Sequence, residues 1–256
     1  MLLAVDIGNT NIVLGLFSGD QLQATARLST RERMTSDEAG FLIDGFLRRS
    51  GIDSTVVTHS VVGSVVPRLT GALTRALESR LPGHPVVVTS SCKLPMSIEI
   101  DRPAQLGADR IANGVAGLAF YGKPLIVVDF GTATTFDVVD ANNRYLGGVI
   151  IPGPETSMKE LARKAAQLHE ISLVHPSAVV GKSTELALQS GLFYGTLGQV
   201  DRIVDEILRE TGFSKCHIVA TGGLAYGIEE FSRHVELVEP TLTLHGLRII
   251  GEMNRE

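Results

Sequence analysis

The chain has few of the residue patterns that would assign a protein to a specialised class. It contains only two cysteines, Cys92 and Cys216, which are too few for a disulfide framework and stand in no metal-spaced cluster. The seven histidines are scattered along its 256 residues without a paired spacing. These absences argue against a small disulfide-stabilised secreted domain and against a zinc centre.

A strong charge bias and a long hydrophobic run are also missing. The 23 basic and 28 acidic residues give a formal net charge of −5, and no basic cluster occurs, so we expect no nucleic acid or anionic membrane as a partner. No apolar run reaches the roughly 18 residues of a membrane span. A basic N-terminal region is absent and Asp6 interrupts the first apolar stretch, so no signal peptide is predicted. We expect a soluble cytoplasmic protein.

Two common nucleotide-binding motifs are absent as well. The tripeptide Gly181-Lys182-Ser183 resembles the end of a P-loop, but the position five residues before Gly181 is Pro176 instead of glycine. No G-x-G-x-x-G sequence occurs. Thr184 is therefore interpreted as the start of a helix.

What the sequence does contain is an alternation of strand and helix patterns, which predicts an α/β fold. Strands are predicted at 2–8, 11–17, 21–29, 56–62, 85–89, 125–131 and 216–221. Helices are predicted after the capping box of Thr35 and Glu38, from Pro67, from Asp109 to Tyr121, over most of 153–210, and from Pro240.

The second half of the chain repeats the start of the first half. The segment Leu3–Gly8 aligns with Ile126–Gly131 at an offset of 123 residues, which places Asp6 over Asp129, and the alignment needs no gap over 18 positions. A repeat at this long period indicates two similar lobes instead of a solenoid. We place the lobes at 1–115 and 116–256.

Each copy of the repeat joins an acidic strand end to a small polar turn. The turns Asn9-Thr10-Asn11 and Thr132–Thr135 follow glycines and offer main-chain N–H groups suited to phosphate oxygens. A carboxylate there would repel a bare phosphate unless a cation lay between them. Local turn capping explains one such aspartate, but it does not explain two, so Asp6 and Asp129 are predicted to hold cations for a nucleoside triphosphate.

Two further segments have more than one interpretation. The sequence Thr221-Gly222-Gly223-Leu224 suits either contact with a flat ligand such as adenine or tight local packing. The sequence Gly107-Ala108-Asp109-Arg110 opens a helix, so Asp109 is either an N-cap or the catalytic base of a kinase, with Arg110 gripping an anionic acceptor. The residues alone leave both interpretations open.

Three glycines, Gly191, Gly195 and Gly198, fall on one face of a predicted helix. Each costs about 1 kcal/mol of helix stability relative to alanine. A close neighbour is therefore expected on this face, either another helix of the same chain or the same helix of a second subunit.

The chain resembles the type III pantothenate kinase family in five motifs and in the order in which they occur. They are Asp6-Ile7-Gly8-Asn9-Thr10-Asn11, Leu106-Gly107-Ala108-Asp109-Arg110, Asp129-Phe130-Gly131-Thr132-Ala133-Thr134-Thr135, Gly147-Gly148-Val149-Ile150-Ile151-Pro152-Gly153 and Thr221-Gly222-Gly223. The family belongs to the superfamily of acetate and sugar kinases, actin and heat-shock chaperone ATPases. The resemblance implies two duplicated lobes of actin-like (ribonuclease H-like) fold with a cleft between them. It also implies ATP-dependent phosphorylation of pantothenate to 4′-phosphopantothenate, the first step of coenzyme A biosynthesis.

The resemblance also implies a set of site residues. ATP would contact Asp6, Ile7, Gly8, Asn9, Thr10, Asn11, Ile12, Val13 and Thr132. Gly222 and Gly223 are also assigned to the nucleotide site, because paired glycines suit contact with a flat ligand such as adenine. Pantothenate would bind Gly107, Ala108, Asp109 and Arg110, with Asp109 as the catalytic base. Asp6 would hold Mg²⁺ through water, and Asp129 would bind K⁺ or NH₄⁺.

The family forms homodimers in which the residue matching Thr184 reaches pantothenate across the interface. One departure is Ile100, where many members carry an aromatic residue.

Two alternative functions remain for the sequence. One is a catalytically retired ATP-binding protein with a regulatory or accessory role, which would have little reason to keep Asp109 beside Arg110. The other is a kinase for another small acid or sugar, which the fold alone permits. The Gly-Ala-Asp-Arg segment argues against it.

Overall fold

The computed structural model describes residues 1–165 and 168–255. The strands are β1 (Leu2–Ile7), β2 (Asn11–Ser18), β3 (Gln21–Ser29), β4 (His59–Ser64), β5 (Val86–Val87), β6 (Ser97–Ile98), β7 (Leu125–Phe130), β8 (Ala133–Val139), β9 (Arg144–Pro152), β10 (His217–Gly222) and β11 (Leu237–Val238). The helices are α1 (Ser36–Arg49), α2 (Pro67–Glu78), α3 (Ala108–Tyr121), α4 (Pro154–Lys164), α5 (Thr184–Thr211) and α6 (Leu242–Asn254). The predicted α/β class is confirmed.

Contacts divide the chain into two compact units. The first consists of Met1–Phe120 together with the C-terminal segment from Thr241 onward, and the second is Tyr121–Pro240. The lobe limits 1–115 and 116–256 stay a prediction. The compact units differ from those lobes because α6 packs on β1 and β4 of the first sheet.

The sheet of the first unit has the order β3-β2-β1-β4-β5, with β1 antiparallel to β2 and parallel to β4. Alternate residues of β1 (Leu3, Val5 and Ile7) enter a core shared with α1 and α2. The helix α1 begins where the sequence predicts, because Thr35 and Glu38 form both hydrogen bonds of the capping box.

The helix α6 fits against the first unit through glycines. A Cβ placed on Gly63 of β4 would lie 2.6 Å from a methyl group of Leu247. A Cβ on Gly246 of α6 would lie 1.9 Å from the carbonyl oxygen of Ala112 in α3. The absence of side chains at these two positions therefore lets α6 approach both the sheet and α3.

The sheet of the second unit repeats this arrangement, with the strand order β11-β10-β7-β8-β9. The strand β7 is antiparallel to β8 and parallel to β10, as β1 is to β2 and β4. Phe193, Val200 and Val204 of α5 form a buried cluster with residues of β7, including Val128. The predicted duplication is confirmed by this topology.

The gapless alignment of the two copies, however, is wrong within the hairpin. Asp6 pairs with Val13, but Asp129 pairs with Thr135 instead of the aligned Phe136. The first turn closes from Gly8 N–H to Asn11 O, whereas the second closes from Gly131 N–H to Ala133 O and is one residue shorter. The turn between β8 and β9 is one residue longer than that between β2 and β3, so the offset of 123 is restored afterwards. Two compensating changes in turn length cancel in the sequence spacing.

Other element predictions differ in detail. The strand predicted at 56–62 lies at His59–Ser64, because Asp53 caps a 3₁₀ turn over Ser54–Val56. The helical prediction for 153–210 is confirmed for α4 and α5, whereas the residues described between them, 165 and 168–183, are not helical. None of the helices in the described part of the chain has the length and apolar character needed to cross a membrane.

Candidate active site

The first turn lies at the end of the β1–β2 hairpin. Asp6 is half-buried near the end of β1, and Asn9 and Thr10 are exposed at the tip. Ile7 and Ile12 are buried, so these two members of the predicted ATP set can offer a ligand only their main-chain groups. The exposed tip with its polar side chains is compatible with the predicted phosphate contacts.

Thr30, just beyond the end of β3, holds this turn. Its N–H donates to the carbonyl oxygen of Thr10 at 2.8 Å, and its Oγ1 donates to the carbonyl oxygen of Gly8 at 2.7 Å. Sequence reasoning missed this residue, because nothing in the local pattern links Thr30 to a turn 22 residues earlier.

The predicted substrate segment reaches the same sheet edge of the first unit. The N–H of Val65, which follows β4, donates to the carbonyl oxygen of Ile7 at 3.0 Å. A Cβ on Gly107 would lie 3.3 Å from a methyl carbon of Val65. This chain of contacts places Gly107 and the start of α3 next to the strand end that carries Asp6.

Asp109 lies within the first turn of α3 and is not the residue before it, so the N-cap interpretation is wrong. Its Oδ1 accepts a hydrogen bond from the N–H of Arg110 at 2.8 Å. The same oxygen would be 2.4 Å from a Cβ at Gly107, so the carboxylate folds back into space that only glycine leaves open.

The environment of Asp109 raises the pKa of its carboxyl group above the ordinary value of 3.8. The largest cause is burial, which disfavours the charged form; the hydrogen bond from the Arg110 N–H and the positive charge of Arg110 act in the opposite direction. A raised pKa makes the carboxylate a better proton acceptor.

Asp129 occupies the corresponding strand end in the second unit, but its surroundings differ from those of Asp6. Its register partners are Thr135 on β8 and Thr221 on β10, and paired residues point to the same face of a sheet. The register partners of Asp6, Val13 and Gly63, carry no side-chain oxygen. Asp129 is therefore grouped with two hydroxyls, whereas Asp6 supplies the only side-chain oxygen among its paired residues.

The second turn is enclosed by glycines and a threonine. A Cβ on Gly153 would lie 2.4 Å from the carbonyl oxygen of Gly131 and 2.7 Å from that of Thr132. The hydroxyl of Thr156 in α4 donates to the carbonyl oxygen of Thr132 at 2.7 Å. Thr132 itself is exposed. Neither the packing of Gly153 nor the bond from Thr156 was predicted.

The two glycines of Thr221-Gly222-Gly223 have different surroundings. Gly222 has a φ of +93°, and a Cβ there would lie 2.5 Å from the carbonyl oxygen of Phe130, next to Asp129. Gly223 is exposed, and a Cβ there would have no neighbour within 4 Å. Gly222 therefore serves tight packing and Gly223 leaves an open surface. Most of residues 224–231, which follow them, form turns.

Thr184 is the first residue of α5, and Ser183 caps the helix by accepting a hydrogen bond from the N–H of Leu186 at 3.2 Å. Thr184 lines a mainly apolar groove of about 430 Å³ between α4 and α5, together with Thr134 and Gly195. A Cβ on Gly191, Gly195 or Gly198 would meet nothing within 4 Å. The close neighbour expected over this glycine face is therefore not provided by the described part of this chain.

The predicted site residues thus fall into two groups, one in each compact unit. The first unit brings the Asp6 turn next to Gly107–Arg110, and the second brings Asp129 close to Gly222, with Thr132 in the turn that follows β7. Across residues 1–165 and 168–255, no three His, Cys, Asp or Glu side chains are placed to hold a metal together. An ion bound by the described residues would therefore need hydroxyls, main-chain oxygens, water or ligand atoms besides at most two such side chains.

Comparison with known proteins gives consistent results. The profile of the family described as type III pantothenate kinase matches residues 2–206. Two proteins named type III pantothenate kinase are similar over essentially their whole length. That of Geotalea daltonii is 45% identical over 256 residues, all of both chains. That of Moorella thermoacetica is 43% identical over 254 residues, 99% of this chain and 100% of the relative. These relatives give no support to a retired accessory protein.

Solved structures with similar folds are more distant in sequence. A conserved putative Baf family transcriptional activator from Campylobacter jejuni superposes with a TM-score of 0.61 at 20% identity, covering 98% of each chain. A ROK hexokinase from Thermus thermophilus gives 0.52 at 12% identity, again covering 98% of each. At these identities the similarity shows the fold alone, and it confirms the predicted actin-like architecture.

Proposed function

Because the chain belongs to the type III pantothenate kinase family, we propose that it transfers the γ-phosphoryl group of ATP to the primary hydroxyl of pantothenate. The product is 4′-phosphopantothenate, and the reaction is the first step of coenzyme A biosynthesis. The observation that carries the proposal is the half-buried Asp109 carboxylate, with its raised pKa, beside the strand end that leads into the Asp6 turn. A kinase needs a proton acceptor for its substrate hydroxyl close to its phosphate site.

The nucleotide is assigned to the two turns. The main-chain N–H groups of Asn9–Asn11 and the exposed Thr132 contact the phosphates. Main-chain N–H groups can bind an anion even where no positively charged side chain is present. Gly223 offers the open surface for the nucleoside, while Gly222 shapes that surface by packing on Phe130. Val13 and the two buried isoleucines Ile7 and Ile12 support the turn from within the hairpin.

The two aspartates suit two different cations. Mg²⁺ retains several waters and needs only one or two carboxylates besides phosphate, which fits Asp6 acting through water. A larger monovalent ion such as K⁺ or NH₄⁺ accepts several neutral oxygens, which fits Asp129 beside Thr135 and Thr221. When bound, these ions supply positive charge that offsets the charge developing on the transferred group.

The side chains of the substrate segment carry out the acceptor half of the reaction. Arg110 pairs with the pantothenate carboxylate and holds the substrate, since guanidinium groups recognise carboxylates in this way. Asp109 accepts a hydrogen bond from the primary hydroxyl and takes its proton as the new oxygen–phosphorus bond forms. The bond between the γ-phosphorus and its bridging oxygen breaks, and ADP leaves. Positioning and electrostatics account for most of the rate.

Pantothenate-dependent release of ADP tests the proposal directly. Replacing the base with Asp109→Asn should lower kcat by about a hundredfold or more, because an amide cannot accept the proton. Asp20→Asn is the matched control, since Asp20 is exposed in the turn between β2 and β3. Near-normal kcat in Asp109→Asn would show that another group is the base.

The monovalent-ion assignment needs a separate test. Wild-type activity should be higher in K⁺ or NH₄⁺ buffer than in Na⁺ buffer of equal ionic strength. Asp129→Asn should lose most of this difference, whereas Asp20→Asn should keep it. Equal wild-type rates in K⁺ and Na⁺ would refute the role proposed for Asp129.

We also propose that the protein acts as a homodimer in which Thr184 contacts the pantothenate held by the partner subunit. The glycine face of α5 and the apolar groove beside it support this arrangement, because glycines in a helix interior otherwise only reduce its stability. Light scattering measures the mass, and a monomer that retained full activity would contradict the proposal.

The proposed location is the cytoplasm. Cys92 and Cys216 are both free thiols in the structure, as expected for a protein kept in a reducing compartment. Fractionation of cells that express the protein, with activity followed in each fraction, tests this.

A further inference from the structure

We propose that the hydroxyl groups of Thr30 and Thr156 are positioning groups that fix the direction of the main-chain N–H groups in the two phosphate turns. The inference rests on the proposed function, in which these turns hold the phosphates of ATP. Neither residue belongs to the five motifs that suggested the site.

In the first turn, Thr30 engages the main chain at two points. Its N–H donates to the Thr10 carbonyl at 2.8 Å and its Oγ1 to the Gly8 carbonyl at 2.7 Å. In a trans peptide the C=O and N–H groups point in opposite directions. Fixing the Gly8 carbonyl toward Thr30 therefore directs the N–H of Asn9 away from Thr30, and fixing the Thr10 carbonyl does the same for the N–H of Asn11.

The second turn also accepts a hydroxyl bond, but the bond comes from a different element and reaches the carbonyl of Thr132, which is the counterpart of Thr10 and not of Gly8. The position equivalent to Thr30 is Gly153, whose N–H donates to the Thr132 carbonyl at 3.0 Å just as that of Thr30 does to Thr10. No side chain fits at Gly153, because its Cβ would lie 2.4 Å from the Gly131 carbonyl oxygen. The hydroxyl comes instead from Thr156, one turn into α4, which donates to the Thr132 carbonyl at 2.7 Å.

The second turn is one residue shorter than the first, and its carbonyl oxygens leave no room for a threonine at position 153. A hydroxyl bond to a turn carbonyl is nevertheless present in both units, made by residues at non-equivalent positions. The bond is therefore not a simple copy of the repeat, and a shared requirement of the two turns accounts for it.

That requirement is electrostatic. A carbonyl oxygen facing a phosphate would repel it, whereas an N–H attracts it. Thr30 holds the peptide that follows Gly8, which glycine would otherwise let rotate readily, and Thr156 holds the peptide between Thr132 and Ala133. A hydroxyl bonded to the carbonyl holds the peptide in the orientation that presents the N–H before ATP arrives, so less ordering is required on binding.

The test compares Thr30→Val and Thr156→Val, which remove the hydroxyl and keep a branched side chain, with Thr30→Ser and Thr156→Ser, which keep the hydroxyl. We expect each valine variant to raise KM for ATP about five- to tenfold, the loss typical of one hydrogen bond. KM for pantothenate should change little, and the serine variants should restore KM for ATP. Thr25→Val, at an exposed position of β3 that does not contact the turn, is the matched control.

A purely structural role would give a different result. Partial unfolding lowers the active fraction, and hence kcat, but leaves KM for ATP unchanged. Valine variants with a wild-type KM for ATP, or serine variants that fail to restore it, would overturn the inference. Calorimetric titration of each variant with Mg-ATP in the absence of pantothenate repeats the comparison without turnover. The titration also separates the positioning role of the two threonines from the proposed function. If the wild-type protein binds ATP but does not phosphorylate pantothenate, only the assignment of pantothenate as the substrate is refuted.

Discussion

Burial makes the ionised form of the Asp109 carboxyl group unfavourable in the folded protein. Its folded-state pKa is raised above the ordinary value of 3.8, chiefly by burial, so the folded state binds a proton more tightly than the unfolded state does. Stability is then greatest below the unfolded pKa and falls as the pH rises through the folded pKa. Asp109→Asn removes this cost, so we expect it to raise Tm at neutral pH while abolishing most activity.

Thermal unfolding across a pH series checks this expectation. The difference in Tm between Asp109→Asn and wild type should be positive at pH 7 and shrink toward zero as the pH falls to about 4. Asp20→Asn serves as the control. A variant that is less stable than wild type at pH 7 would mean that the ionised carboxylate makes favourable interactions that outweigh its burial.

The glycine pair gives a second prediction for single residues. Gly222→Ala places a Cβ 2.5 Å from the Phe130 carbonyl at a φ of +93°, and should reduce stability by about 2 kcal/mol or more. Gly223→Ala adds a methyl group to open space and should leave Tm within a degree or two of wild type. Calorimetry or circular dichroism measures both, and equal Tm values for the two variants would contradict the packing role of Gly222.

Among the proposed site residues, sequence patterns single out those whose chemistry is local. Asp6 and Asp129 end apolar strands, and Asp109 precedes an arginine, so residue type and position were enough to single them out. Thr30 and Thr156 could not be found in this way, because their bonds join residues 22 and 24 positions apart through strand pairing and helix packing.

At the level of elements, the hairpins and helix starts were predictable because short-range signals determine them. The capping box of α1 and the proline at the start of α2 lie within a few residues of the boundaries they set. The strand register was not predictable, because the two turn-length changes compensate each other and leave the sequence spacing unaltered. The return of α6 to the first sheet depends on long-range contacts that no local pattern encodes.

The close contact between α6 and α3 at Gly246 gives a prediction about the packing of α6. Gly246→Ala places a Cβ 1.9 Å from the Ala112 carbonyl oxygen, so α6 and α3 must separate, and we expect a loss of about 2 kcal/mol or more. Gly45→Ala in α1 is the matched control, since a Cβ there meets nothing within 4 Å and should add about 0.5–1 kcal/mol of helix stability. Denaturant unfolding compares them; equal destabilisation by both would refute the close contact.

At the scale of the whole molecule, the first compact unit is assembled from both ends of the described chain. Residues 1–120 supply its sheet and three helices, and α6 returns after the second unit has been completed. Contacts at such long sequence separation form late and slow folding. A chain limited to residues 1–120 would therefore lack the helix that covers β1 and β4.

The proposed homodimer can be tested with two inactive variants. If Asp109 of one subunit and Thr184 of its partner form one site, a dimer of Asp109→Asn with Thr184→Arg contains one intact site, because each subunit supplies what the other lacks. Mixing the two proteins equally, under conditions that exchange subunits, should recover roughly a quarter of wild-type activity, since half of the dimers are mixed and each has one of two sites. Asp109→Asn mixed with Gly107→Arg, which damages the same subunit's segment, should recover none. No recovery in either mixture, while co-purification of differently tagged subunits confirms mixed dimers, would show that Thr184 serves its own subunit.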